Sequence, residues 1–415
     1  MAVVRPFKAI RPRKDLADKV ISLPYDVMNR HEAKAMAESN PYSFLRICRS
    51  EIDLPDEFDP YCKAVYEKAK INIDTFLDQG ILFQDDTPSF YIYQQIMDGR
   101  SQTGIVACTS IDDYQNNVIK KHEFTREEKE MDRINHFDVC DANTEPIFLT
   151  YRNNEAIEST LSLWMDSHEP EYEIITSDGI SHILWVLNDK ETIQTLSDTF
   201  SSIDALYIAD GHHRSASSFK VGMKRRKENP GYTGEEEFNF FLSVIFPDKD
   251  LKIFDYNRVV KDLHGLTTEA FLEAVAENFE IEKIPESNPY RPGAPHTFGM
   301  FLDKEWYKLT AKDAIIDETD PIKKLDVSIL QDYLLDPILG IKDPRRDKRI
   351  DFIGGIRGLR ELEKRATSDM RVAFSLYPVD IASLLAVSDN DKIMPPKSTW
   401  FEPKLGSGLF MHCLK

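Results

Sequence analysis

The densest run of chemistry-bearing side chains is Asp210-Gly211-His212-His213-Arg214-Ser215. The apolar stretch Ala205–Ala209 before it predicts a short strand, and Ser215–Arg226 after it predicts a helix. Gly211 permits a tight turn between them. The first amides of a helix lack intrahelical acceptors and attract anions. Arg214 adds a guanidinium that can grip phosphate through two N–H groups, and Ser215 adds a hydroxyl. His212 and His213 supply donors or acid–base groups near neutral pH. Asp210 could orient a histidine or carry Mg²⁺. A capped helix whose histidines satisfy backbone groups is the plainer alternative. Four polar side chains crowded into one turn favour phosphate.

A second run is Lys121-His122-Glu123-Phe124-Thr125-Arg126, followed by Glu130, Asp132 and Arg133. Glu123 and Asp132 are candidates for a base or a metal carboxylate. Lys121 and Arg133 are candidates for phosphate, and His122 and Thr125 for substrate. A solvated helix laced with ion pairs is the alternative, preferred for Glu127 and Glu128. Thr125 with Glu128 three residues on also predicts a capping box. In a third run, two prolines stiffen the chain before Lys397-Ser398-Thr399. That triplet offers a point charge and two hydroxyls as a ligand edge. A structural turn is an equal reading, and the glycines of a P-loop are missing. Asp26, after Pro24-Tyr25, and Asn143, before the Ile147 strand, are further polar candidates.

Other motifs are excluded or weak. Gly354-Gly355-Ile356-Arg357-Gly358 is not a GxGxxG fingerprint. His31-Glu32 lacks the second histidine of a zincin, and there is no GxSxG elbow.

These residues need a scaffold. Asn29 predicts the cap of a helix over His31–Glu38, and a helical spacing covers Tyr61–Gln79, with Gly80 as its C-cap. Asp98-Gly99 predicts a hairpin between Phe90–Ile96 and Gly104–Thr109. Strands are expected at 117–123, 147–151, 182–187, 240–246 and 371–376, and helices at 125–136, 189–200, 327–335 and 379–387. A second hairpin is expected over 297–309. Asn288–Pro295, with three prolines and a glycine, reads as a linker or long loop. Strands and helices mix without regular βαβ alternation, which predicts an α+β fold with mixed sheets. The segments expected are 1–110, 111–287 with the Asp210–Arg214 turn, and 288–415.

The chain has 415 residues, with 71 acidic and 52 basic side chains and a net charge of −19. That charge argues against non-specific nucleic-acid binding, which needs basic surface. No apolar run approaches the length of a membrane span, and the basic start lacks the apolar core of a signal peptide. Five cysteines with no CxxC read as reduced thiols, so a cytoplasmic protein is expected.

In this order along the chain, Leu23-Pro24-Tyr25-Asp26-Val27, Lys121-His122-Glu123-Phe124-Thr125, Asp132-Arg133, Ala209-Asp210-Gly211-His212-His213-Arg214 and Met394-Pro395-Pro396-Lys397-Ser398-Thr399 resemble a bacterial and archaeal family known as domain of unknown function 1015. The Asp-Gly-His-His-Arg turn also resembles the phosphate-binding turn of the ParB-like and sulfiredoxin-like superfamily. That group includes kinases that move phosphate between a nucleotide and free serine. The resemblance implies a ParB/sulfiredoxin-like phosphate-binding core, with flanking helices and an α/β C-terminal region. It implies a nucleotide phosphate at Gly211, His212, His213 and Arg214, and a nearby acid, Glu123 or Asp210, that deprotonates a small hydroxyl. Two departures matter. No helix-turn-helix signal or basic face accompanies the turn, and no cysteine stands beside it. Chromosome partitioning and sulfinic-acid repair are therefore disfavoured.

The expectation is a phosphotransferase acting between ATP or ADP and a small hydroxyl metabolite, L-serine or O-phosphoserine favoured, with Mg²⁺. Its partners would be the nucleotide and a small phosphorylated metabolite, with a homodimer as the assembly considered. A phosphoserine phosphatase working without nucleotide, through a phosphohistidine, is one alternative. A nucleotide-binding regulatory protein without turnover is another.

Overall fold

The computed structural model describes residues 1–285 and 288–415. The fold is α+β, with mixed sheets and flanking helices. The described chain groups into two compact units. One comprises residues 1–121, 125–251 and 403–415, and the other 122–124 and 252–402. The segment boundary expected after residue 287 falls outside the described residues.

The first unit is built on a nine-stranded sheet among the described residues. Its centre places Leu206–Asp210 beside Ile147–Tyr151 (antiparallel), then Phe240–Pro247 (parallel), then Arg100–Ser110 and Phe90–Met97 (antiparallel). Ile147–Tyr151 and Phe240–Pro247 are buried along their whole length, as parallel neighbours covered on both faces must be. The expected hairpin forms, with Asp98 and Gly99 both at positive φ (53° and 75°). That geometry matches the right-handed twist of the strands it joins. The helix Arg30–Ala37 carries a full capping box between Asn29 and Glu32.

Three local expectations change. The helix after the Asp210 turn runs His212–Glu228, so it begins three residues before Ser215. Gly211, at φ +96°, turns the chain directly into the helix, which leaves the histidine pair and Arg214 inside its first turn. The helix expected from Thr125 spans Glu127–Cys140 with Arg126 at its N-cap, so the Thr125–Glu128 capping box does not form. The strand expected over 117–123 shortens to Ile119–Lys120, paired parallel to Leu206–Tyr207.

The second unit holds a six-stranded antiparallel sheet among the described residues: Phe279–Lys283, Glu305–Ala311, Thr297–Leu302, Val372–Leu376, Tyr256–Val260 and Ile350–Gly354. Asn288–Pro295 is a loop joining two strands of this one sheet rather than a link between units. Tyr290 accepts the Ser375 hydroxyl (3.0 Å) and Arg291 bonds Asp255 (3.0 Å), which tie the loop down.

Candidate functional site

The turn is set by a break in strand register. Tyr207 pairs with Thr150 and Ile208 with Leu149, but Asp210 pairs with Phe148, so the strand bulges between Ile208 and Asp210. Bulges re-aim side chains at strand ends. Asp210 ends the strand with its side chain 31 % exposed. Its carboxylate accepts from Arg214 Nη2 (2.8 Å) and lies 3.5 Å from Lys404 Nζ. No side chain caps the following helix. Ser215 returns its hydroxyl to Gly211 O (3.1 Å), and His213 Nε2 accepts the Arg126 amide (3.1 Å).

Beneath the turn lies a buried cluster of mixed charge. Arg214 also donates to Pro146 O (2.5 Å), while its Nε has no hydrogen-bond partner. Arg133 lies over the Tyr25 ring (4.0 Å) and bonds Asp132 through Nε (3.0 Å). Arg133 Nη1 makes no hydrogen bond and sits 3.8 Å from Glu145 Oε2, which makes none either. Glu145 Oε1 accepts the Tyr25 amide (3.2 Å) and the Ser407 hydroxyl (2.7 Å). Three buried polar atoms in one cluster therefore keep unused hydrogen-bonding capacity, which is costly unless something else supplies the partners. Burial pushes the Glu145 carboxyl above its ordinary range, against the opposing pull of Arg214 and Arg133. The field of Asp26, exposed on the Tyr25 turn, reaches both Arg214 and Glu145.

The other candidates of this unit are placed as follows. Asp132 accepts from the Tyr66 hydroxyl (3.1 Å) as well as from Arg133, so it orients that arginine. Thr125 donates its hydroxyl to Glu130, which Lys220 also holds. Burial works against ionisation of Glu130, yet these two donors bring its carboxyl below the ordinary range. Lys121 lies over the Tyr114 ring (4.0 Å), and burial lowers its ammonium from the ordinary range. Asn143 bonds Ser218 (3.2 Å), the Leu242 amide (3.3 Å) and His412 (3.2 Å), which is packing chemistry.

His122, Glu123, Lys397, Ser398 and Thr399 belong to the second unit. There the Met394 amide donates to His122 O (2.8 Å), and the Thr399 hydroxyl lies 3.5 Å from His122 Nε2. The structure thus brings the His122 and Thr399 runs together. Lys397 takes a left-handed backbone (φ 58°), its carbonyl accepts from Arg258 (3.0 Å), and its ammonium lies 5.7 Å from the Tyr256 ring centre. Ser398 bonds Pro395 O (2.6 Å).

Sequence reasoning passed over Glu145, Ser407 and Lys404. Glu145 immediately precedes a fully buried strand, and Ser407 sits between two glycines, one of them (Gly408) at φ +93°. Those were the available signals. Among the described residues, no three His, Cys, Asp or Glu side chains are grouped to hold a metal ion, and Asp210 faces two cations already. The side chains therefore offer no three-ligand cage, and a Mg²⁺ here would rest on nucleotide phosphates with one or two carboxylates. No helix among the described residues is long and apolar enough to cross a membrane.

Solved structures similar to the chain include a free serine kinase in complex with AMP, at 13 % identity, over 74 % of this chain and 92 % of that one, with a TM-score of 0.36. A conserved hypothetical protein from Pyrococcus furiosus matches at 14 % identity over 74 % and 94 %, with a TM-score of 0.36. A C-terminally truncated SbnI from Staphylococcus aureus matches at 12 % identity over 74 % and 87 %, with a TM-score of 0.39. None of the curated proteins compared with the chain matches it. The family described as protein of unknown function (DUF1015) matches residues 4–328, and the chain belongs to that family.

Proposed function

We propose that the chain is a phosphotransferase acting between a nucleotide and a small hydroxyl metabolite, L-serine or O-phosphoserine favoured. One observation carries this reading: three buried atoms, Arg133 Nη1, Arg214 Nε and Glu145 Oε2, lack hydrogen bonds beside an uncapped helix N-terminus. A helix N-terminus with a buried arginine suits a phosphoryl group.

The balance of charge refines the substrate. Arg133, Arg214 and Lys404 stand among Asp26, Asp132, Glu145 and Asp210. A site with four anionic groups to three cationic ones repels a bare polyanion. It suits a zwitterion, whose carboxylate an arginine can take and whose ammonium a carboxylate can take. Serine is such a molecule and carries the hydroxyl to be phosphorylated.

Phosphoryl transfer needs positioning, charge neutralisation and a base. In this reading Gly211, His212, His213 and Arg214 position the phosphoryl group. Glu145 joins Asp132 as a candidate base in the same unit as the turn, because a carboxyl raised from its usual range holds a proton better. The base takes the hydroxyl proton, the hydroxyl oxygen bonds to the γ-phosphorus, and the bond from phosphorus to the β-phosphate oxygen breaks, leaving ADP. Mg²⁺ enters only as the counter-ion of the nucleotide.

Phosphorus NMR tests the reading. One sample holds ATP or ADP, Mg²⁺ and L-serine, and others hold O-phosphoserine with and without nucleotide. Nucleotide-dependent gain or loss of the phosphoserine signal, abolished in Arg214→Lys, supports it. Phosphate release without nucleotide would replace it with the phosphatase. No change in any sample removes serine as substrate and leaves a nucleotide-binding regulator to be tested by binding.

A further inference from the structure

The second unit contains a cavity of about 190 Å³ that the phosphotransfer reading does not use. Its wall includes Asp326, His296, Lys324, Glu318 and Asp380, with apolar surface from Leu325 and Val379. Asp326 is only 6 % exposed. Its Oδ1 accepts the His296 amide (2.8 Å), while Oδ2 has no hydrogen-bond partner. His296 is held in place for this contact. It takes a left-handed backbone (φ 62°), its ring bonds Lys324 O (3.2 Å), and its carbonyl accepts the Ala311 amide (2.9 Å). A carboxyl beside a cavity that makes a single hydrogen bond, with its other oxygen buried and unpartnered, is costly unless a ligand adds to it.

The lining fixes the sign of that ligand. Three carboxyl groups (Asp326, Asp380 and Glu318) face one lysine and one imidazole. Asp380 uses one oxygen to cap the helix Ile381–Asp389 through the Ser383 amide (2.6 Å). No metal cage forms among the described residues. The apolar wall favours a ligand with a short hydrocarbon stem, and the volume exceeds the roughly 150 Å³ that accommodates benzene in an engineered cavity.

We propose that this cavity binds a small organic cation, an alkylammonium or guanidinium group, whose head pairs with the Asp326 carboxyl. Burial lifts the Asp326 carboxyl to about 7, although the His296 amide pulls it down. Near neutral pH the empty site is therefore partly protonated, and the cation must displace that proton. No residue of the Asp210–Arg214 turn takes part.

The test is methyl NMR of the full chain, following Leu325 and Val379. Propylammonium chloride is titrated, with n-propanol and sodium propionate as controls of matched size. Saturable shifts with propylammonium are expected, at least tenfold weaker with propanol, absent with propionate, and lost in Asp326→Asn. Equal binding of propanol, shifts confined to other methyls, or undiminished binding by folded Asp326→Asn would overturn the site. A readout on the unmutated chain covers failure of that variant to fold. Its affinity for propylammonium should rise about tenfold from pH 6 to pH 8, as the ionised fraction grows. His296 also lines the cavity, so the rise is repeated in His296→Gln, where it should persist. A flat profile rejects the proposal.

Discussion

Arg133 Nη1 and Glu145 Oε2 face each other at 3.8 Å in a buried cluster, and neither makes a hydrogen bond. The gap is too wide for a direct bond and right for one atom touching both. Each group is fixed from behind. Asp132 and the Tyr25 ring hold the arginine, while the Tyr25 amide and the Ser407 hydroxyl hold the carboxyl. The free ends are thus preorganised toward each other, with Arg214 alongside.

Arg214 is the joint between turn and cluster. Arg214→Ala takes one buried cation from Asp210 and Glu145, leaving Lys404 and Arg133 as their remaining partners, and loss of one partner from a buried pair costs up to about 3–5 kcal/mol. Urea unfolding should show a loss of that size. Arg214→Lys keeps the charge but gives up the planar fork that reaches Pro146 O and Asp210 together. It should fold, and phosphoserine formation or loss should fall roughly 100-fold or more. A folded Arg214→Lys protein with full turnover would place the reacting phosphate elsewhere.

Glu145 gives a dependence on pH with a definite sign. Burial raises its folded carboxyl above the unfolded value, so the folded state binds the proton more tightly. Its contribution is fully favourable below the unfolded value and is lost as pH rises toward the raised one, at up to about 1.4 kcal/mol per unit. Glu145→Gln keeps an acceptor for Tyr25 and Ser407 and has no charge to desolvate. Chemical denaturation across pH 4–7 should show the stability of the unmutated chain, taken relative to Glu145→Gln at each pH, falling as pH rises. Identical slopes would mean that Glu145 is not the group strained by burial.

Gly211 sits at φ +96°, and a Cβ there would lie 3.1 Å from Arg214 Nε. Gly211→Ala therefore combines a left-handed backbone penalty of about 1–2 kcal/mol with pressure on the arginine. Thermal unfolding should show that loss. Nucleotide affinity, read by titration calorimetry, should weaken more than in Gly231→Ala, where the added methyl meets open space. Equal affinity in the two variants would show that the turn does not shape the binding site.

What the sequence made legible was local. The Asn29 helix cap and the Asp98-Gly99 hairpin are specified by neighbours within a few residues, and both formed. The Asp210–Arg214 turn was legible for the same reason, though the helix start was misplaced because Gly211 enters the helix without an intervening loop. Of the two readings of Asn288–Pro295, linker or long loop, the loop is what forms, because proline content reports local backbone preference and not whether the flanking strands share a sheet. Glu145 and Ser407 were invisible because they are 262 positions apart and meet only when the C-terminal segment Pro403–Lys415 packs into the first unit. Spacing rules reach one turn or one hairpin. Sites assembled across the whole chain lie beyond them.

Two buried histidines weaken the fold on acidification. Desolvation holds His136 down to about 3, helped by the nearby Arg133, while His136 Nε2–H donates to Ile47 O (3.1 Å). His182, against the Tyr93 hydroxyl (2.5 Å), is held down to about 4 by burial. A histidine whose folded value is depressed is neutral in the native state but protonates when the chain unfolds below about pH 6.5. Stability must therefore fall on acidification between 6.5 and the folded values, by about 2 kcal/mol for each histidine from pH 7 to pH 5. His136→Asn removes one of the two titrations. It should lose stability at pH 7 from poorer packing, yet decline about 2 kcal/mol less over that interval. If its urea midpoint falls with pH as steeply as the parent's, His136 is already charged in the folded state, and the arginine cluster beside it carries one more positive charge than assigned.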